Sequence, residues 1–126
     1  MIKTKIAIAI GAALMAATPA LAEYDGVIAH IIAKPGQRDA LIEAMRPLAG
    51  MKGCIDLVVA KDPKNADAIW LTEIWQSKQL HVEATSGDIF TAAMVKIRPM
   101  MMSIDQNYET APAFGTDLKE ATEPTH

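Results

Sequence analysis

Ala68-Ile69-Trp70-Leu71-Thr72-Glu73-Ile74-Trp75 runs directly into Gln76-Ser77-Lys78-Gln79 and then into a short stretch that carries His81. The first eight residues read as a strand, and the polar tetrapeptide stops it. Ser77 is placed to cap the helix that follows, because its hydroxyl can accept a hydrogen bond from a free amide of the first turn. Trp75 and His81 therefore flank one strand-to-helix corner. An indole and an imidazole are both suited to engage a flat, redox-active organic molecule, which makes this corner the first place to look for a site.

Upstream of the corner, Gly26 to Ala33 is short, rich in β-branched residues and closed by Lys34-Pro35-Gly36, the pattern of a strand ended by a proline turn. Leu41, Ala44, Met45 and Leu48 then recur at helical spacing, and Pro47 bends or ends that helix near Arg46. Gly53 to Ala60 reads as a second strand, with Ile55, Leu57 and Val59 on one face and Cys54, Asp56 and Val58 on the other. Lys61-Asp62-Pro63-Lys64-Asn65 forms a loop, and the third strand spans Asp67 to Trp75.

Downstream, Ser86-Gly87-Asp88 separates the short helix from a longer one in which Phe90, Ala93, Met94, Ile97 and Met101 share a stripe. Pro99 interrupts that stripe. Ser103 to Thr110, with Ile104, Gln106 and Tyr108 alternating against polar neighbours, reads as a last strand near a sheet edge. The order is βαββαβ with the second helical region in two pieces. This is a ferredoxin-like α+β arrangement, an antiparallel sheet with its helices on one face.

The first three strands place bulky side chains on both sides of the sheet, and helices on one face cannot cover the other. A second copy of the chain packing sheet against sheet as a symmetric homodimer would cover it. A membrane or another protein is the alternative cover.

The ends of the chain read differently from the middle. Two lysines within the first five residues, an apolar or small-residue run from Ile6 to Ala17 and the Ala-x-Ala pattern ending at Ala22 make residues 1–22 a secretory signal peptide. The apolar run is short of the ~20 residues that a membrane span needs. The expectation is a periplasmic or secreted protein that starts at Glu23 and keeps no stable membrane anchor. A single domain then occupies residues 23–112, and residues 113–126 form a polar, mobile tail.

The formal net charge of the whole chain is −3, and removal of Lys3 and Lys5 makes it more acidic. No basic stripe remains to grip nucleic acid. Cys54 is the one cysteine, so it is either a buried thiol or one half of an intermolecular bridge. The sequence holds no GxGxxG motif, no Cys or His pair at metal-ligand spacing and no Ser-His-Asp constellation.

Ala33-Lys34-Pro35-Gly36 ending the first strand, Gly53-Cys54 opening the second, and Glu73-Ile74-Trp75 with Ser77 closing the third together resemble the antibiotic biosynthesis monooxygenase (ABM) domain family of the dimeric α+β barrel superfamily. The resemblance spans about Val27 to Thr110. It implies a cofactor-independent monooxygenase that oxidises a quinol or related aromatic with molecular oxygen. An ionised, electron-rich substrate can itself pass an electron to oxygen, so the protein supplies a dry pocket, orientation and control of a proton.

Under this resemblance Trp75 lines the substrate cavity, where an indole can stack on a quinol and donate through its nitrogen, or else it is a core tryptophan. His81 is the proton-handling candidate, since an imidazole with a pKa near ~6.5 exchanges protons around neutrality. Trp75 and His81 are thus the candidate catalytic residues, with His30, Glu73 and Tyr108 as candidate substrate-binding residues. His30 joins the cavity if it faces the helices and meets the second subunit if it faces away. Glu73 is an acceptor or base, or makes a structural ion pair. Tyr108 can orient a phenolic oxygen, and Trp70, on the opposite face from Trp75, packs or lies in the interface.

Met94, Met100, Met101 and Met102 form either an adaptable pocket wall or ordinary core. Two departures from the pattern bear on the chemistry. Leu71 stands where oxygenases of the superfamily often carry asparagine, and Val27 to Ile32 lacks the first-strand asparagine of the haem-degrading relatives. A non-catalytic binding protein for a hydrophobic aromatic or haem-like ligand is the alternative function.

Overall fold

The computed structural model describes residues 23–118. The signal-peptide reading of residues 1–22 falls outside them, as do residues 119–126. Strand β1 (Asp25–Ala33) leads to helix α1 (Arg38–Met45) and a 3-10 turn (Arg46–Gly50), then to β2 (Cys54–Lys61) and β3 (Ala68–Trp75). Helices α2 (Lys78–Thr85) and α3 (Asp88–Ile97), a 3-10 turn (Arg98–Met100) and β4 (Met101–Thr110) complete the unit. Pro47 and Pro99 each stand in the first turn of a 3-10 segment, where a missing backbone N–H costs nothing.

The strands form one sheet in the order β2-β3-β1-β4, with every neighbouring pair antiparallel. This is the expected ferredoxin-like α+β fold. The odd-numbered residues of β1 and β3 face the helices: Ala29, Ile31, Ala33, Ile69, Leu71 and Trp75 are buried together with Leu41, Met45, Leu48, Ala93 and Ile97. The even-numbered residues face away, where Ile28 and Tyr108 lie opposite each other and Val58 is 55% exposed.

Three sequence expectations change. A bulge between Cys54 and Asp56 brings Cys54 opposite Trp75, so the thiol lies on the helix face and packs against the core instead of sharing a face with Asp56 and Val58. Met101 opens β4 and does not continue the α3 stripe, because the proline turn redirects the chain first. A register shift in β4 sets Gln106 opposite His30 but Ile104 opposite Ile31, so Ile104, Gln106 and Tyr108 do not share one face. Pattern alone does not reveal a bulge, since one extra residue inverts the alternation beyond it.

Gly53 holds the corner in place. Its φ of +89° is left-handed, and a side chain there would come within 2.7 Å of Leu80 Cβ on α2. Its carbonyl accepts from the Gln76 amide at 2.9 Å, which ties the start of β2 to the end of β3. After β4, residues 111–118 follow without regular structure apart from a turn closed by Leu118 N–H on the Gly115 carbonyl. Burial, and then the neighbouring carboxyl of Asp117, raises the Asp56 pKa. Among the described residues no helix is long and apolar enough to cross a membrane.

Candidate active site

The end of β3 and the start of α2 bring the corner together. Ser77, extended in backbone, accepts from the Leu80 amide at 3.1 Å and starts α2 as its sequence suggests. One turn on, His81 lies flat on Trp75, with ring centroids 4.7 Å apart and planes 14° from parallel. The indole is completely buried, and its Nε1–H donates to Glu73 Oε2 at 3.2 Å.

His81 has a carboxylate on each side. Its Nδ1 lies 2.7 Å from Asp25 Oδ2 and its Nε2 lies 3.6 Å from Glu73 Oε2. The first is a hydrogen bond, whereas the second is an electrostatic contact just beyond that reach. The side chains are 22% exposed for His81, 13% for Asp25 and 11% for Glu73, so solvent reaches the imidazole while the indole beneath it stays dry. Cys54, opposite Trp75 at the start of β2, packs on the core. Burial, followed by the carboxylates of Glu73 and Asp56, pushes its thiol pKa up to about 11, which makes it an inert core group.

Trp75, His81 and Glu73 are thus brought into one cluster, and Asp25 joins them. Both functions expected of the indole are already engaged within the protein: His81 occupies one face and Glu73 takes the N–H. A guest therefore meets the imidazole and the carboxylates before it meets Trp75. Sequence reasoning missed Asp25, which lies opposite Trp75 in the β1–β3 register. A lone aspartate at the start of a strand carries no local signal that it will meet a histidine so far along the chain.

His30 and Tyr108 are not at the corner. His30 points from the other side of the sheet, 7% exposed, with Nδ1 2.6 Å from Asp105 Oδ1 and Nε2 2.8 Å from Asp62 Oδ2. Its ring lies 4.4 Å from that of Trp70, tilted by 41°. An ionised carboxylate only accepts, so the two contacts are both satisfied when the ring is protonated. The hydrogen bonds to Asp62 and then Asp105 raise its pKa. Asp62 moves the opposite way, held down by the Lys64 amide and then by His30. Trp70 is on the face that sheet alternation assigns it.

Among the described residues, three clefts lie along the helices. One of about 220 Å³ is lined by Thr85, Phe90, Thr91, Met94, Val95 and Arg98, one of about 260 Å³ lies between α1 and α3, and one of about 270 Å³ lies between α1 and β2. None of these three is lined by Trp75 or His81. Met94 is thus a wall of the first cleft and also packs on the core. Among the described residues no group of three or more His, Cys, Asp or Glu side chains is arranged to hold a metal ion.

The family model for antibiotic biosynthesis monooxygenases matches residues 26–96, from β1 through most of α3. The chain belongs to the antibiotic biosynthesis monooxygenase family. A solved structure assigned to the same family, from Chloroflexus aurantiacus, is 41% identical, with 73% of this chain and 95% of that one covered and a TM-score of 0.71. Another, from Caulobacter crescentus, is 17% identical over 79% of this chain and 93% of that one, with a TM-score of 0.62, and shows the shared fold. No curated protein matches the chain.

Membership in the ABM family gives this chain a monooxygenase-like or small-molecule-binding fold. The matched segment contains Glu73, Trp75 and His81, whereas Asp25 falls just before it.

Proposed function

We propose that this ABM protein is a cofactor-independent monooxygenase that oxidises a quinol or related aromatic with molecular oxygen. The observation that carries the reading is the Trp75–His81 stack with a carboxylate on each side of the imidazole. His81 takes the proton of a quinol hydroxyl, and Glu73 accepts a hydrogen bond from the second polar edge of the substrate. Trp75 holds the ring that does this work and excludes water beneath it. The quinolate supplies electrons to oxygen directly. For a simple hydroquinone, one oxygen atom enters the ring to give a hydroxyquinone and the other leaves as water, which balances the four electrons lost by the substrate.

The protein acts in the periplasm or outside the cell, after cleavage behind Ala22, and works as a homodimer. The apolar residues Ile28, Val58 and Tyr108 on the face without helices support the pairing. In that dimer His30 and Tyr108 belong to the interface and approach a substrate only where the two chains meet.

Oxygen uptake and product mass across a panel of hydroquinones test the activity. Uptake that needs the protein, with one oxygen atom added to product, is the expected result. Rates indistinguishable from buffer across the panel would count decisively against it.

A second reading is a non-catalytic carrier of a hydrophobic aromatic or haem-like ligand. Leu71 favours it, being buried on the helix face where superfamily oxygenases often carry asparagine, and offering no hydrogen bond to a substrate oxygen. Saturable quenching of tryptophan fluorescence without product formation would identify this case.

A further inference from the structure

We propose that Asp25 is a positioning residue that fixes the tautomer of His81, keeping the proton on Nδ1 so that Nε2 is the nitrogen that accepts a proton from the substrate. The inference rests on the reading of His81 as the proton-handling group, and goes beyond it by assigning which nitrogen works and which residue selects it.

The geometry at the two ends of the ring is unequal. Asp25 Oδ2 is 2.7 Å from Nδ1, a full hydrogen bond, and a carboxylate can only accept. The hydrogen therefore sits on Nδ1. In the neutral ring the lone pair then belongs to Nε2, whose nearest charged group, Glu73 Oε2, is 3.6 Å away and already receives the Trp75 N–H. Among the described residues nothing at hydrogen-bond distance claims that lone pair. When Nε2 takes a hydroxyl proton, the oxygen–hydrogen bond breaks, an N–H forms and the imidazolium's charge is shared between Asp25 and Glu73.

Asp25 is well placed to impose this choice. It stands opposite Trp75 in the sheet, so one strand pairing sets both the plane beneath His81 and the acceptor beside it. The arrangement is the orientation device seen wherever a carboxylate holds one nitrogen of a working histidine. His30 provides the internal contrast: carboxylates lie within 2.8 Å of both of its nitrogens, leaving no lone pair to offer.

The test is nitrogen NMR of His81 in slightly alkaline buffer, comparing wild type with Asp25→Asn and Asp25→Leu. The wild-type ring is expected as a single tautomer protonated on Nδ1. Asp25→Asn keeps a carbonyl that can accept the same hydrogen and should preserve that tautomer, whereas Asp25→Leu should move the proton to Nε2. A wild-type ring protonated on Nε2, or a tautomer unchanged in Asp25→Leu, overturns the proposal. The wild-type spectrum decides the matter even if Asp25→Leu does not fold.

Hydroquinone turnover supplies a separate readout. kcat should fall by about 100-fold in Asp25→Leu with KM little changed, and recover partly in Asp25→Asn. Equal loss in both variants would assign Asp25 to charge alone and overturn the tautomer role. No turnover in wild type, with the tautomer moved by Asp25→Leu, would sink the quinol reading while supporting the positioning of His81 by Asp25.

Discussion

The imidazole of His81 is stacked nearly parallel on the buried indole of Trp75, with ring centroids 4.7 Å apart. A strand and a helix meet there through side chains six positions apart, and the contact makes Trp75 a platform for its neighbour. The indole has a second task in donating its N–H to Glu73.

The two tasks can be separated. Trp75→Phe keeps an aromatic surface but loses the donor, and should cost about 1 kcal/mol of stability. Trp75→Ala removes a fully buried side chain and should cost about 3–5 kcal/mol. Urea denaturation measures both. A Trp75→Ala chain as stable as wild type would mean that the indole does not support the corner.

Stability should depend on pH through the His30–Asp62 pair. The folded pKa of His30 is raised above 6.5, so its contribution is full below that value and is lost as pH rises through the folded pKa. The folded pKa of Asp62 is lowered below 3.8, so its contribution is present above that value and is lost as pH falls through the folded pKa. The pair is therefore most stabilising between pH 3.8 and 6.5. Melting temperature followed across pH should fall on the alkaline side in wild type and flatten in His30→Gln. Parallel curves for the two proteins would contradict this assignment.

Gly53→Ala should destabilise by about 2 kcal/mol, since it combines a left-handed backbone with a clash against Leu80. Leu80→Gly removes the clashing Cβ but leaves the backbone strain at residue 53, so the double variant should lose less than the sum of the singles. Strict additivity in chemical denaturation would show that α2 does not bear on Gly53.

Cys54 should resist alkylation in the folded protein. With its pKa at about 11, roughly one thiol in a thousand is ionised at pH 8. Iodoacetamide should label it rapidly in urea and slowly in buffer, and Cys54→Ala should keep any quinol turnover. Fast labelling of the native protein would place the thiol in open solvent.

Element order and the corner itself were legible because local chemistry announces them. Lys34-Pro35-Gly36 ends one strand, Ser77 opens a helix, and Glu73-Ile74-Trp75 alternates between faces. The side of the sheet on which His30 lies was not legible, because Ile28 to Ile32 is apolar at nearly every position and gives no preferred face. Cys54 and Ile104 were misplaced by bulges whose extra residue leaves no mark in composition. Asp25 was invisible for a different reason, since its partner on α2 is reached only through the sheet register.

Those bulges also protect the molecule. Along β4 the regular ladder with β1 runs unbroken only from Gln106 to Thr110, and the shifts beyond His30 twist the remaining strand out of line. An outer strand so interrupted offers an incoming chain no long flat template, and Glu109 adds a charge within the one regular stretch. The same irregularity that brings Asp105 to His30 therefore guards this sheet against open-ended fibre growth.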